Sequence, residues 1–169
     1  MRNAVLALLA SGFWLVACAP QQRTIHLSST FDRSEAEFIL TDGTATITGQ
    51  SFLRQSGGGV VTCAGSIVHL IPRTKYADER MQHLYGSTLG GVNYATVPTF
   101  VPDFYIYSEL TRQTQCDAQG NFEFSSVPAG KFYVATNVEW VVARVRQGGA
   151  IMKPVDVARG QKATVLLTQ

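Results

Sequence analysis

The sequence predicts an all-β fold, a β-sandwich of about seven strands with one short helix. Three observations support this prediction. Short segments rich in β-branched and aromatic residues recur along the chain and are bounded by Gly, Pro, Asn and Asp. One segment alone has apolar residues at helical spacing. Helices do not alternate with the strands as a parallel sheet requires, so we do not expect a parallel sheet.

The first strands are predicted in the segment 43–71. Residues 43–53 are rich in β-branched side chains and begin at a glycine, which is typical of a strand. A glycine-rich turn at 56–59 follows. Residues 60–63 and 66–71 then form either a strand pair or one strand bent at Ala64 and Gly65, and Pro72 ends the second segment.

The last third of the chain contains the clearest strand pattern. Turn residues at 117–120 precede the alternating segment 121–124, and Pro128 and Gly130 occupy turn positions before a further strand at 131–139. This arrangement predicts a β-hairpin. A second, closing hairpin is predicted from the alternating segments around Val155 and at 163–168.

The long connection 72–110 breaks the strand pattern. Residues 74–85 are predicted to form the short helix, because apolar residues recur at helical spacing and Gly86 follows the end. The aromatic segment 87–110 is the least regular. Alternation over 104–109 suggests a hairpin that leads into a strand at 111–116.

The N-terminus indicates export. Arg2 precedes a short apolar stretch that ends in Leu15, Val16, Ala17 and Cys18, which resembles the lipobox of bacterial lipoproteins. The resemblance implies that residues 1–17 are a removed signal peptide and that Cys18 carries a thioether-linked diacylglycerol and an N-acyl group such as palmitate.

The expected position of the mature chain follows from this anchor. Ala19 stands where an aspartate would retain a lipoprotein in the inner membrane, so we expect the outer membrane, with the domain facing the periplasm. Residues 18–34 are polar and are predicted to be a flexible tether. The alternative is an ordinary signal peptide with a chance cysteine.

The two remaining cysteines are predicted to pair. In an oxidising compartment Cys63 and Cys116 would close a loop of about 54 residues, for which the chain-entropy model gives roughly 4 kcal/mol of stabilisation. A metal site or a reactive thiol is the alternative, but His69 alone lies near either cysteine in the sequence.

The segment 117–134 resembles the carboxypeptidase regulatory-like domains. It has a turn aspartate and glycine, Asp117 and Gly120, an alternating aromatic strand, a proline–glycine turn and a second aromatic strand. Gly49 and the segment 63–70 resemble the opening strands of that family. The resemblance implies an immunoglobulin- or transthyretin-like sandwich over 35–169, with 72–110 as an insertion, and a noncatalytic accessory role.

Composition and motifs exclude several functions. The 14 basic and 12 acidic residues are nearly balanced, which gives no electrostatic footprint for nucleic acid. The histidines are scattered and form no zinc-peptidase motif, and we predict no catalytic residues, no metal site and no cofactor. The charged residues of the short helix are best explained as a solvated face.

Binding is the remaining prediction. Tyr94, Phe104, Tyr105 and Tyr107 could form a surface for a protein partner or a glycan, or could pack onto the sandwich. The leading hypothesis is a noncatalytic envelope lipoprotein that binds a protein partner through 72–110. The alternatives are a glycan-binding lipoprotein and, more weakly, an enzyme whose site the sequence spacing does not reveal.

Overall fold

Strands dominate the computed structural model, which describes residues 23–169. Two helices, α1 (Lys75–Tyr85) and α2 (Tyr105–Glu109), accompany the 3-10 turns Arg33–Glu35 and Glu37–Leu40. The strands are β1 (Thr24–His26), β2 (Ala45–Arg54), β3 (Val60–Thr62), β4 (Ile67–Pro72), β5 (Gly91–Asn93), β6 (Thr99–Val101), β7 (Arg112–Gln115), β8 (Asn121–Val127), β9 (Gly130–Val142), β10 (Val145–Val157) and β11 (Lys162–Leu167). The all-β fold predicted from the sequence is therefore confirmed.

Two sheets form the sandwich. The larger has the order β5-β10-β9-β4-β7, and its neighbouring strands are antiparallel. In the smaller sheet β2 is central, with β11 parallel on one edge and β8 and β3 antiparallel on the other. A separate parallel pair, β1 with β6, lies outside both sheets.

The main core lies between the two sheets. Along β2 every second residue is buried, as strand geometry requires when one face packs against a second layer. Phe122, Phe132 and Val134 enter the same core from β8 and β9, and each fully buried side chain of this size contributes about 1.5–3 kcal/mol. Gly49 is needed on the buried face of β2, because a Cβ there would lie 2.3 Å from the Phe122 ring.

A second core lies on the outer face of the larger sheet, beneath α1. Ala77 and Met81 from the helix pack against Tyr133 and Met152 from the sheet. The Thr74 side chain accepts a hydrogen bond from the Ala77 amide and caps the helix N-terminus, while Gly86 adopts a left-handed conformation at the other end. The predicted helix is confirmed, and the domain has three layers.

The disulfide predicted between Cys63 and Cys116 is present, with a Cα–Cα distance of 5.8 Å. Cys63 follows β3 in the smaller sheet, and Cys116 follows β7 in the larger sheet. The bond therefore connects the two layers of the sandwich at one end.

Several predicted pairings are wrong. The hairpins expected at 121–139 and 155–168 do not form, because β8 and β11 pair with β2 whereas β9 and β10 belong to the other sheet. Likewise β3 and β4 are neither a pair nor one bent strand. Turn residues show where the chain reverses, but a strand can bury its apolar face equally well by crossing to the opposite sheet. The parallel pairing of β11 with β2 was not expected.

Tyr105–Glu109 is the helix α2 and not a strand, with Phe104 as its extended N-cap residue. The rings of Phe104 and Tyr107 both contact the Phe31 ring. The apparent alternation in this short segment was therefore misleading, because a contact with a distant part of the chain set its conformation.

The tether predicted for 18–34 is wrong from residue 24 onward. Ile25 in β1 is buried, and β1 pairs with β6. Glu79 of α1 accepts hydrogen bonds from the backbone amides of Ser28 and Ser29 at 2.8 Å each and from both hydroxyls. The predicted signal peptide 1–17, the lipidation site Cys18 and the rest of the tether to residue 22 lie outside the described residues.

Candidate functional site

The hairpin of β9 and β10 extends beyond the strands on either side of it. On one side β4 pairs with β9 only as far as Thr136, and on the other β5 begins to pair with β10 at Ala150. Residues 137–149 therefore form a two-stranded ribbon beyond the body of the larger sheet. Ala143 and Arg144 both have positive φ, as a tight hairpin turn between twisted strands requires.

One face of this ribbon holds a groove of about 320 Å³. The side chains of Asn93, Asn137 and Glu139 line it together with the loop 94–97, and we call it the amide lobe. Glycines form the floor of this lobe, because neighbouring backbone segments approach too closely there for a side chain. A Cβ on Gly148 would lie 2.0 Å from the Val138 carbonyl oxygen, and one on Gly149 would lie 2.3 Å from the Asn93 carbonyl oxygen.

A second groove of about 470 Å³ adjoins the first, and we call it the aromatic lobe. This lobe is lined by Arg54, Ser56, Trp140, Gln147 and Gln169. Four residues line both lobes and join them into one surface, the hairpin groove: Tyr94, Arg146, Gln147 and Gly148.

The two arginines of the hairpin groove differ in whether they form a salt bridge. Arg146 donates to Glu139 over 2.7 Å between Nη1 and Oε2. The Arg146 side chain is 76% exposed, so the pair adds little to stability, at most about 1 kcal/mol. Arg54 has no salt bridge with any carboxylate of residues 23–169. The groove thus carries one neutralised and one available guanidinium.

The groove combines two kinds of chemistry. The faces of Tyr94 and Trp140 offer apolar area, and the Tyr hydroxyl and Trp ring N–H offer polar atoms beside it. The Asn137 amide can donate and accept hydrogen bonds at once, whereas the Asn93 side-chain oxygen already accepts from the Ala95 amide and leaves its NH2 group to donate. A ligand with an apolar face and many hydroxyl groups matches this combination.

The four aromatic residues predicted as a binding surface are not brought together. Tyr94 is 57% exposed and lines the hairpin groove. Tyr105 is exposed on α2 but lines neither lobe. Phe104 and Tyr107 pack against Tyr76, with ring centroids 5.5 and 5.1 Å apart, so the packing alternative holds for these two.

The packed rings surround an arginine, and we call them the Arg80 cluster: Phe31, Tyr76, Phe100, Phe104, Tyr107 and Arg80. The Arg80 guanidinium carbon lies 4.2 Å from the centroid of the Phe100 ring and 4.9 Å from that of Tyr107. Burial raises the pKa of the Tyr107 hydroxyl well above its ordinary range. This cluster holds the parts of the insertion together and joins them to the N-terminal segment at Phe31.

Sequence reasoning missed most of the hairpin groove, including Trp140, Asn137, Glu139 and Arg146. The strand prediction ended at residue 139, within β9 and before β10 begins. The adjacent glycines 148 and 149 were the available signal. Glycine inside a strand often marks a place where another backbone or a ligand approaches closely.

The three histidines lie apart in the fold. His69 is half-buried on β4, and burial lowers the pKa of its imidazole. Within residues 23–169 no three His, Cys, Asp or Glu side chains lie close enough together to hold a metal ion. In the same residues, none of the helices has the length and apolar character needed to span a bilayer.

Comparison with solved structures identifies a similar fold. A crystal structure of a proposed carbohydrate-binding protein from Pseudomonas aeruginosa superimposes with a TM-score of 0.67 at 23% sequence identity. The match covers 83% of this chain and 99% of the other. No family model and no curated protein sequence matches the chain. At this identity the likeness shows a shared fold.

Proposed function

We propose that this chain is a noncatalytic glycan-binding lipoprotein of the bacterial cell envelope, and that the hairpin groove holds the sugar. The observation that carries the proposal is the exposure of Tyr94 next to Trp140, within a groove also lined by amide and guanidinium groups. Tyr94 and Trp140 each present an apolar ring face beside a polar atom, which suits a ligand that has an apolar face and hydroxyl groups. This proposal favours the glycan alternative over docking through 72–110.

The similar fold of the proposed carbohydrate-binding protein supports this assignment. The two chains share nearly the whole length of that protein. Fold alone does not carry function, so the composition of the groove is the stronger argument.

The noncatalytic part of the proposal is supported by the acidic residues of the groove. Glycoside hydrolysis generally uses two carboxyl groups on opposite sides of the bond that breaks. Among the described residues lining the hairpin groove, Glu139 is the one carboxylate side chain, and it is paired with Arg146. Such a groove can hold a sugar without supplying an acid and a base.

Attachment to the envelope through Cys18 remains part of the proposal. An anchored glycan-binding domain would hold the outer membrane near a polysaccharide, whether cell-wall material or an exported polymer. Mass spectrometry of the native protein tests this part separately, since a lipid on the Cys18 thiol changes the mass of the N-terminal peptide. An intact residue 1–17 segment would contradict it.

Glycan binding is tested with the full chain in detergent and a panel of oligosaccharides, by isothermal titration calorimetry. We expect Tyr94→Ala and Trp140→Ala each to weaken binding at least tenfold. Tyr105→Ala is the matched control, because Tyr105 is 77% exposed but lies outside the groove. Absence of binding to any sugar, or an equal loss in Tyr105→Ala, would contradict the proposal.

A second candidate function is protein interaction through the tip of the ribbon. Val141, Val142 and Val145 are 69%, 47% and 59% exposed on the two sides of the turn. Three adjacent exposed valines are unusual on a surface that touches only water. Cross-linking in the native host tests this, and a Val141→Ser/Val145→Ser variant that keeps every cross-linked partner would refute it.

A further inference from the structure

The aromatic lobe of the hairpin groove carries two arginines. Arg54 is the last residue of β2 and is exposed, and Arg146 reaches the same lobe from β10. They come from different sheets, so no local sequence pattern places them together. Both lie with Trp140, whose ring packs partly against the main core.

The side-chain charges of the groove do not cancel. Glu139 neutralises Arg146 through the 2.7 Å contact, and no second acidic side chain of residues 23–169 lines either lobe. Arg54 is left without a carboxylate partner in the described part of the chain. A neutral sugar would approach this guanidinium without satisfying its charge.

A carboxylate satisfies a guanidinium better than a hydroxyl does. The planar fork of arginine matches the two oxygens of a carboxylate, and hydrogen bonds between ionised groups are about twice as strong as neutral ones. The position of Arg54 beside Trp140 would let one sugar unit stack its ring on the indole and turn a carboxylate towards the guanidinium.

We infer that the ligand of the hairpin groove is an acidic oligosaccharide that contains uronic acid units, and that Arg54 binds the sugar carboxylate. This inference rests on the proposed function, since it names the class of glycan that the same groove takes. Neighbouring units of the chain extend into the amide lobe, where Asn93 and Asn137 bind hydroxyl groups.

The inference is tested with matched ligands and the full chain in detergent. The probes are tetramers of galacturonic acid and of mannuronic acid, each compared with its methyl ester, which keeps the sugar rings but removes the charge. A neutral cellotetraose is the third probe. We expect at least one acid to bind at least tenfold more tightly than its ester, and the difference to shrink as salt rises from 50 to 500 mM.

Variants of Arg54 localise the effect. Arg54→Gln should bind acid and ester equally, because it removes the charge that distinguishes the two ligands. Arg54→Lys, which keeps the charge but loses the fork, should fall between the two. Arg159→Gln is the control, because Arg159 is exposed on a turn outside the groove.

The outcomes separate the inference from the proposed function. Equal binding of acid, ester and cellotetraose, with binding still lost in Tyr94→Ala, would overturn the acidic ligand and leave glycan binding in place. An acid preference that survives Arg54→Gln would overturn the role of Arg54. Binding of none of the probes, together with no binding across the wider panel, would overturn both.

Discussion

The Arg80 cluster and the hairpin groove use the same residue types for different purposes. Each combines aromatic rings, tyrosine among them, with arginine. In the Arg80 cluster the Arg80 side chain is 15% exposed and Tyr76 is fully buried. In the hairpin groove Tyr94 is 57% exposed. Aromatic composition alone therefore does not identify a binding surface.

The difference arises from what covers each group. The segment containing Phe31 and the helices α1 and α2 pack around the rings of the Arg80 cluster, so its contacts are already made within the chain. In the hairpin groove the floor is backbone at Gly148 and Gly149, and the ribbon extends past its neighbours. The Tyr94 ring there remains mostly exposed.

The largest expected effect is in the Arg80 cluster. Tyr76→Ala should lower the free energy of unfolding by about 3–5 kcal/mol, because it removes a fully buried aromatic ring and leaves a cavity. Tyr76→Phe is the matched control. It loses the hydroxyl that donates to the Pro102 carbonyl and accepts from the Arg80 guanidinium, and it should cost about 1–3 kcal/mol. Urea denaturation measures both, and a Tyr76→Ala loss below that of Tyr76→Phe would break the comparison.

Removal of the disulfide should weaken both regions together. Cys63→Ala/Cys116→Ala removes the bond that connects the two sheets across a sequence separation of 53 residues. The chain-entropy model predicts that this lowers the free energy of unfolding by about 4 kcal/mol. Denaturation followed separately by tyrosine and tryptophan fluorescence measures whether the regions unfold together. The variant and the wild type should be equally stable under reducing conditions, where the bond is open in both. Equal stability under oxidising conditions would contradict the prediction.

The hairpin groove should respond in the opposite way to the Arg80 cluster. Tyr94→Ala should change the free energy of unfolding by no more than about 0.5 kcal/mol, because the ring is mostly exposed, while glycan binding is lost. Thermal and urea denaturation measure the first quantity. A loss of stability comparable to that of Tyr76→Ala would show that Tyr94 is structural, and the contrast between the regions would fail.

A small, pH-dependent effect concerns the attachment of β1 beside the Arg80 cluster. Hydrogen bonds from Ser28 and Ser29 lower the pKa of Glu79 to about 2, below its ordinary value of 4.5. Because the folded-state pKa is the lower one, the stabilisation is complete above about pH 4.5 and is lost as the pH falls towards 2. Solvent screening limits it to under about 1 kcal/mol.

Comparison of the wild type with Glu79→Gln across pH 2–6 measures this contribution. The difference in the free energy of unfolding should be largest near pH 6 and should vanish near pH 2. Glu109→Gln is the control, since Glu109 is exposed on α2 and makes no salt bridge within residues 23–169. A difference that grows on acidification would contradict the assignment.

Local patterns in the chain were sufficient for much of the fold. The helix α1 follows from its apolar spacing, the cap at Thr74 and the glycine at position 86, all of which act within a few residues. The strand β2 was predicted from its β-branched residues, β8 from its alternation, and the pairing of Cys63 with Cys116 from the count of cysteines. These features depend on periodicity and composition, which the sequence displays directly.

Long-range contacts set everything else. The turns before β9 and β11 could not reveal which sheet each strand joins, because both sheets offer an apolar layer and an open strand edge. Contact with Phe31 holds α2, and pairing with β6 orders β1. The groove itself joins Arg54, Tyr94 and Trp140 from three distant segments, and only the folded chain brings them to one surface.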